Sequence, residues 1–108
     1  MPIYNKLVRD LIPEIIEADG KTCVTHTLTD SQYIAELHKK MHEELAEYEE
    51  ATNAEDAVEE LSDLLELIHA AAAYHGATVE ELEAVRAEKA TARGGFDERI
   101  YLVEVADD

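Results

Sequence analysis

The chain has 108 residues, of which 46% are hydrophobic, and a formal net charge of −17 from 26 acidic and 9 basic side chains. This length suits a single domain with its own core, residues 1–108, and the hydrophobic share excludes a disordered chain. A protein this acidic is repelled by nucleic acid phosphates and by anionic membranes, so neither is expected as a partner.

The expected compartment follows from what the sequence lacks. Cys23 is the single cysteine, so no intramolecular disulfide can form. The opening residues lack the apolar core of a signal peptide, and no apolar run approaches the roughly 18 residues of a membrane helix. We therefore expect a soluble cytoplasmic protein.

The N-terminal part of the chain is predicted to be an extended arm, residues 1–6, followed by a helix over about Leu7–Ala18. Apolar residues recur there at helical spacing, and Asp19-Gly20 ends the pattern. Pro13 lies inside the pattern, so the helix is either kinked or begins near Ile12.

Two segments near opposite ends of the chain have the composition of strands. Lys21–Leu28 mixes β-branched and apolar residues, and Arg99–Val105 alternates in the same way. Since one strand is not stable alone, we expect the two to pair as a small antiparallel hairpin.

The middle of the chain is predicted to be helical. One long helix covers about Ser31–Ala51, and a second, capped by Asn53, runs to about Tyr74. Thr78 and Glu81 form a capping box for a further helix, about 79–92. The predicted fold class is therefore mainly α, a helical bundle with a small terminal β-hairpin.

The two long helices carry two carboxylate pairs, Glu44 with Glu47 and Glu60 with Asp63, each spaced i, i+3. At about 100° per residue, Glu44 and Glu60 fall inside the apolar arcs of their helices, while Glu47 and Asp63 fall at the margins. Charges on a buried face are costly unless they are paired or bound to metal. A helical hairpin is thus expected to assemble a four-carboxylate cation site; the alternative is a solvated acidic face.

The sequence EELAE, residues 43–47, followed by ELSD, residues 60–63, resembles the EExxE…ExxD signature of the all-α nucleoside triphosphate pyrophosphohydrolases. The opening YNKLVRDLIPEII and the late RGGFDERIYL are similar to a MazG-like subgroup described as phosphoribosyl-ATP pyrophosphohydrolase-like. The resemblance covers nearly the whole chain and predicts a MazG-like helical bundle.

The resemblance implies that Glu44, Glu47, Glu60 and Asp63 bind Mg²⁺, with Mn²⁺ as an alternative ion. It also implies hydrolysis of the α–β phosphoanhydride of a nucleotide, which releases a nucleoside monophosphate and pyrophosphate. One carboxylate that the metal does not fully engage is expected to act catalytically by accepting the proton of the attacking water, and Glu43 and Glu47 are both candidates.

Asn5, Lys6 and Arg9 form the first group of expected substrate-binding residues, because Lys and Arg neutralise phosphate oxygens that the metal does not reach. The alternative for these cations is ordinary surface pairing with Asp10 or Glu14.

Lys89 and Arg93 form the second expected substrate-binding group, since the adjacent Gly94-Gly95 permits close approach of a phosphate to the backbone. The alternative is ion pairing with Glu88 or Asp97.

The remaining expectations concern activity, zinc binding and assembly. House-cleaning of non-standard nucleotides and hydrolysis of phosphoribosyl-ATP in histidine biosynthesis are both compatible with the site. A non-enzymatic acidic protein that binds a basic partner is the alternative from another class, and His38 with His42, spaced i, i+4, is a weaker zinc candidate. Wide apolar arcs predict self-association as a homodimer or homotetramer.

Overall fold

The computed structural model describes residues 2–107, which form four α-helices. These are α1, Ile12–Ala18; α2, Asp30–Glu50; α3, Ala54–Tyr74; and α4, Val79–Arg93. The mainly α class is confirmed. None of the helices in this part of the chain combines the length and the apolar character that a membrane crossing requires.

The helices begin where side chains satisfy the first free backbone N–H groups. Thr29 and Thr78 each form a capping box, with Gln32 and Glu81 respectively, and Asn53 Oδ1 accepts a hydrogen bond of 2.9 Å from the Asp56 N–H. These caps place the predicted starts of α2, α3 and α4 within one residue of the observed ones.

Helix α1 is shorter than the longest predicted range, because it begins at Ile12. Pro13 lies in its first turn, where the missing N–H of proline has no helical partner in any case. The apolar pattern from Leu7 to Leu11 therefore belongs to the arm and not to the helix.

Helices α2 and α3 form the central hairpin, joined by the short connection over residues 51–53. Leu37 on α2 is 1% exposed. At the far end of the hairpin the Tyr33 ring of α2 lies 6.3 Å from the Tyr74 ring of α3, centroid to centroid. Helix α4 packs against α3, and the chain reaches it through Gly76, whose φ of 85° suits glycine.

The expected β-hairpin is absent, because residues 2–107 contain no strand. The two segments lie along the surface, where Val24 is 98% exposed and Tyr101 is 89% exposed. An alternating pattern forms a strand only where a partner edge is available, and this chain's helices provide none.

Candidate metal centre

Three glutamates converge between the central helices. Oxygen atoms of Glu44 and Glu47 on α2 and Glu60 on α3 all lie within 4.8 Å of one another. The i, i+3 spacing places the first two one turn apart on α2, and the hairpin brings the third across from them. We call these three residues the carboxylate cluster.

The cluster is partly enclosed by the hairpin. Glu44 is only 8% exposed, Glu60 is half-buried and Glu47 is exposed. The prediction that Glu44 belongs to the buried face is confirmed. The cluster thus has two enclosed members and one member open to solvent.

Two oxygen atoms of the cluster are buried without a hydrogen-bond donor among the described residues. They are Glu44 Oε2 and Glu60 Oε2. Ionised carboxylates only accept hydrogen bonds, so three of them side by side cannot satisfy one another. Either a shared proton or a bound cation is needed, and oxygen ligands of this kind suit Mg²⁺ or Mn²⁺.

The proton affinity of the cluster follows from the same geometry. Burial raises the pKa of Glu44 above its usual value, and a proton held on Glu60 and donated to Glu44 opposes this. The charges of Glu47 and Asp63 raise the pKa of Glu44 further. Hydrogen bonds shared with Glu47 and Glu44 raise the pKa of Glu60 to about 7. The cluster therefore favours the binding of a proton or a metal cation at neutral pH.

Asp63, the fourth predicted ligand, is engaged by the N-terminal arm. Arg9 Nη2 donates to Asp63 Oδ1 at 2.7 Å. The alternative of surface pairing named Asp10 or Glu14 as partners for Arg9, and the observed partner is instead 54 residues away in sequence. The pair brings the Arg9 guanidinium group beside the carboxylate cluster.

Glu43, a predicted catalytic residue, lies outside the cluster. Its Oε2 is 3.7 Å from Lys40 Nζ, and its side chain is exposed. Glu43 lines a small open recess together with residues of the arm and of α2: Lys6, Leu7, Glu36, Lys39 and Lys40. Of the two proposed general bases, Glu47 is the one that the structure places with the other carboxylates.

The arm positions two of the expected substrate-binding residues near the cluster. Lys6 lines the recess on α2, and Arg9 reaches Asp63 on α3, so residues 6–9 cross the central hairpin. Asn5 adopts φ of 45°, a left-handed conformation that asparagine tolerates better than most residues, and its side chain makes no hydrogen bond within residues 2–107.

The other expected substrate-binding residues, Lys89 and Arg93, lie in the last turns of α4. Neither forms an ion pair with any carboxylate in the described part of the chain, Glu88 and Asp97 included. Helix α4 makes no contact with α2, so these cations are not brought to the cluster within one copy of the chain. The helix ends at Gly94, with φ of 81°.

Lys39 and Lys40 line the recess, although the sequence alone did not suggest a role for them. Their spacing could have indicated one, since each lies four residues before a glutamate of the motif, Glu43 or Glu44. His38 and His42 are exposed, and no group of three metal-ligating residues within residues 2–107 includes them.

Comparison with known proteins identifies a partial relative. A protein of Mycolicibacterium smegmatis (strain ATCC 700084 / mc(2)155), described as uncharacterized, is 48% identical to this chain over 54 residues. The match covers 50% of this chain and 55% of that protein, so the chain spans about half the length of the curated relative it matches. No family model and no solved structure matches the chain.

Proposed function

We propose that this chain is a Mg²⁺-dependent nucleoside triphosphate pyrophosphohydrolase that releases a nucleoside monophosphate and pyrophosphate. The observation that supports this proposal most is the carboxylate cluster, with ligand oxygens within 4.8 Å and two buried oxygens that lack donors. A solvated acidic face does not explain an 8% exposed glutamate facing two others.

The proposed roles follow from position. Glu44, Glu47 and Glu60 would hold the ion, with Asp63 beside them, and Mn²⁺ is the alternative to Mg²⁺. When bound, the ion would neutralise negative charge on the phosphate oxygens and lower the pKa of the water bound to it. Glu47 is the better placed of the two candidates to accept a proton from water, because it belongs to the cluster, which Glu43 does not, and solvent reaches it directly.

Arg9 and Lys6 are proposed to bind substrate phosphates from the arm. Both carry their charge to the flank of the central hairpin, and Arg9 already contacts a carboxylate there at 2.7 Å. Guanidinium and ammonium groups stabilise the charge that develops during phosphoryl transfer.

Self-association is proposed to complete the MazG-like bundle. Apolar side chains on α3 are exposed at helical spacing, with Val58 at 64%, Leu61 at 43% and Leu65 at 50%. A second copy would cover this face, and it would also offer a route by which Lys89 and Arg93 reach a cluster that they do not contact within one chain. The substrate remains either a non-standard nucleotide or phosphoribosyl-ATP.

The test is pyrophosphate release from a panel of nucleotides, with phosphoribosyl-ATP included, in Mg²⁺ and after its removal by chelation. We expect Glu60→Gln to lower the rate at least about 100-fold, because it removes a charged ligand from the site of charge development. Glu59→Gln is the matched control, since it makes the same change at an exposed neighbour on α3.

Hydrolysis of no nucleotide, or an equal rate in Glu60→Gln and Glu59→Gln, would contradict the proposed function. Tight binding of a basic protein without any dependence on divalent cations would instead support the non-enzymatic alternative.

A further inference from the structure

A group of lysines lies next to the carboxylate cluster without a role in it. Lys6 of the arm and Lys39 and Lys40 of α2 line one recess, together with Leu7, Glu36 and Glu43. We call this feature the lysine recess. It gathers three of the nine basic residues of a chain that has 26 acidic ones.

The recess carries one more positive charge than negative charge, because its three lysines stand against Glu36 and Glu43. Lys40 approaches Glu43 at 3.7 Å, while Lys6 and Lys39 form no ion pair among residues 2–107. The Lys6 ammonium instead lies 5.4 Å from the centroid of the Tyr4 ring. In so acidic a protein, a recess that gathers three ammonium groups, two of them without a carboxylate partner in the described part of the chain, favours the binding of an external anion.

The position of the recess relates it to the carboxylate cluster. Lys40 precedes Glu44 by four residues, which places the two on the same side of α2, about 6 Å apart along the helix axis. The Lys40 side chain is 23% exposed, so part of it is accessible to a ligand. A ligand held at both features must carry negative charge over more than one helix turn.

We infer that the lysine recess binds the outer phosphates of a polyphosphate ligand whose inner phosphate lies at the carboxylate cluster. Resting on the proposed function, this inference assigns Lys39 and Lys40 to the end of the nucleotide that leaves as pyrophosphate. The recess thus distinguishes linked phosphates from a single phosphate, because orthophosphate is too small to occupy both features together.

The test is calorimetric titration of the full chain, in saturating Mg²⁺, with inorganic pyrophosphate and separately with orthophosphate. We expect the wild-type protein to prefer pyrophosphate at least about tenfold, and the Lys39→Gln/Lys40→Gln variant to lose at least about tenfold in pyrophosphate affinity while orthophosphate affinity changes less. The loss is expected because each lysine provides a charge-assisted hydrogen bond.

The matched control is Lys21→Gln/Arg86→Gln, which removes two positive charges elsewhere. Lys21 pairs with Asp19 at 3.7 Å and Arg86 pairs with Glu83 at 2.6 Å, both on exposed surfaces. This variant should bind pyrophosphate within about twofold of the wild-type protein, because neither pair borders the recess and distant surface charges are screened. Equal pyrophosphate affinity in the two double variants, or no binding by the wild-type protein, would overturn the inference.

Nucleotide hydrolysis by the same proteins separates this inference from the proposed function. If the wild-type enzyme is active and the Lys39→Gln/Lys40→Gln variant keeps its KM and its pyrophosphate affinity, the inference fails and the proposed function stands. If the wild-type protein hydrolyses nothing but shows lysine-dependent preference for pyrophosphate, the recess stands and the proposed function fails.

Discussion

The protonation of Glu60 links the proposed cation site to the stability of the fold. Its pKa is raised to about 7 by Glu47 and Glu44, against an ordinary value of 4.5. In the absence of a cation the folded protein therefore holds a proton that the unfolded chain releases at lower pH. The free energy of unfolding must then fall as the pH rises between these two values.

We predict that the cation-free protein loses stability from about pH 5 to about pH 7 and levels off above that range. The raised pKa of Glu44 acts in the same direction. Urea denaturation in a chelator at several pH values measures the free energy of unfolding. This free energy should depend less steeply on pH in Glu60→Gln than in the exposed control Glu59→Gln. Stability that rises over this range, or equal slopes in both variants, would refute the coupling.

The sequence allowed some residue-level features to be predicted and not others. Glu44 lies inside an apolar arc at about 100° per residue, and its burial follows from helical geometry alone. The contact of Arg9 with Asp63 depends on the path of an arm without regular structure, so no periodicity indicates it. Local spacing favoured Asp10 or Glu14 as partners.

At the scale of the elements, the caps decide where the site-bearing helices begin. Asn53 caps α3 seven residues before Glu60, and its side chain also donates to Asp56 Oδ2 at 2.9 Å. Helix starts were predictable because these caps are local. The β-hairpin was not, because strand formation depends on a partner that the helices of this chain do not supply.

We predict that Asn53→Ala lowers the free energy of unfolding by about 1 kcal/mol, since it leaves the Asp56 N–H without its acceptor. It should also weaken Mn²⁺ binding, because the first turns of α3 carry Glu60 toward α2. Thr78→Ala is the matched cap deletion on α4, with a similar loss of stability and unchanged Mn²⁺ affinity. Chemical denaturation and calorimetry measure the two quantities, and equal Mn²⁺ affinities in both variants would count against this positioning role.

At the scale of the whole molecule, the chain leaves much of its apolar surface uncovered. Leu37 is the one hydrophobic residue that is buried among residues 2–107, while Val58 and Leu65 on α3 are 64% and 50% exposed. A hairpin with so small an interior gains little from hydrophobic burial by itself. Homo-oligomer formation stays a prediction, and the wide apolar arcs in the sequence already indicated it.

We predict that Val58→Glu lowers the solution mass to that of a monomer, because a charge buried in an apolar interface is unpaired. Light scattering after size-exclusion chromatography gives the mass. Ala84→Glu adds the same charge at an exposed position on α4, outside this face of α3, and should leave the assembly intact. A monomeric wild-type protein, or equal masses for both variants, would rule out an interface at this face.

Binding of a divalent cation by the carboxylate cluster is tested most directly by anomalous diffraction from crystals grown with Mn²⁺, since the signal locates the ion. We predict an anomalous peak for a Mn²⁺ ion that is bound by oxygens of Glu44, Glu47 and Glu60. Crystals at saturating Mn²⁺ with no peak between α2 and α3, or with a peak only at His38 and His42, would contradict cation binding by the cluster.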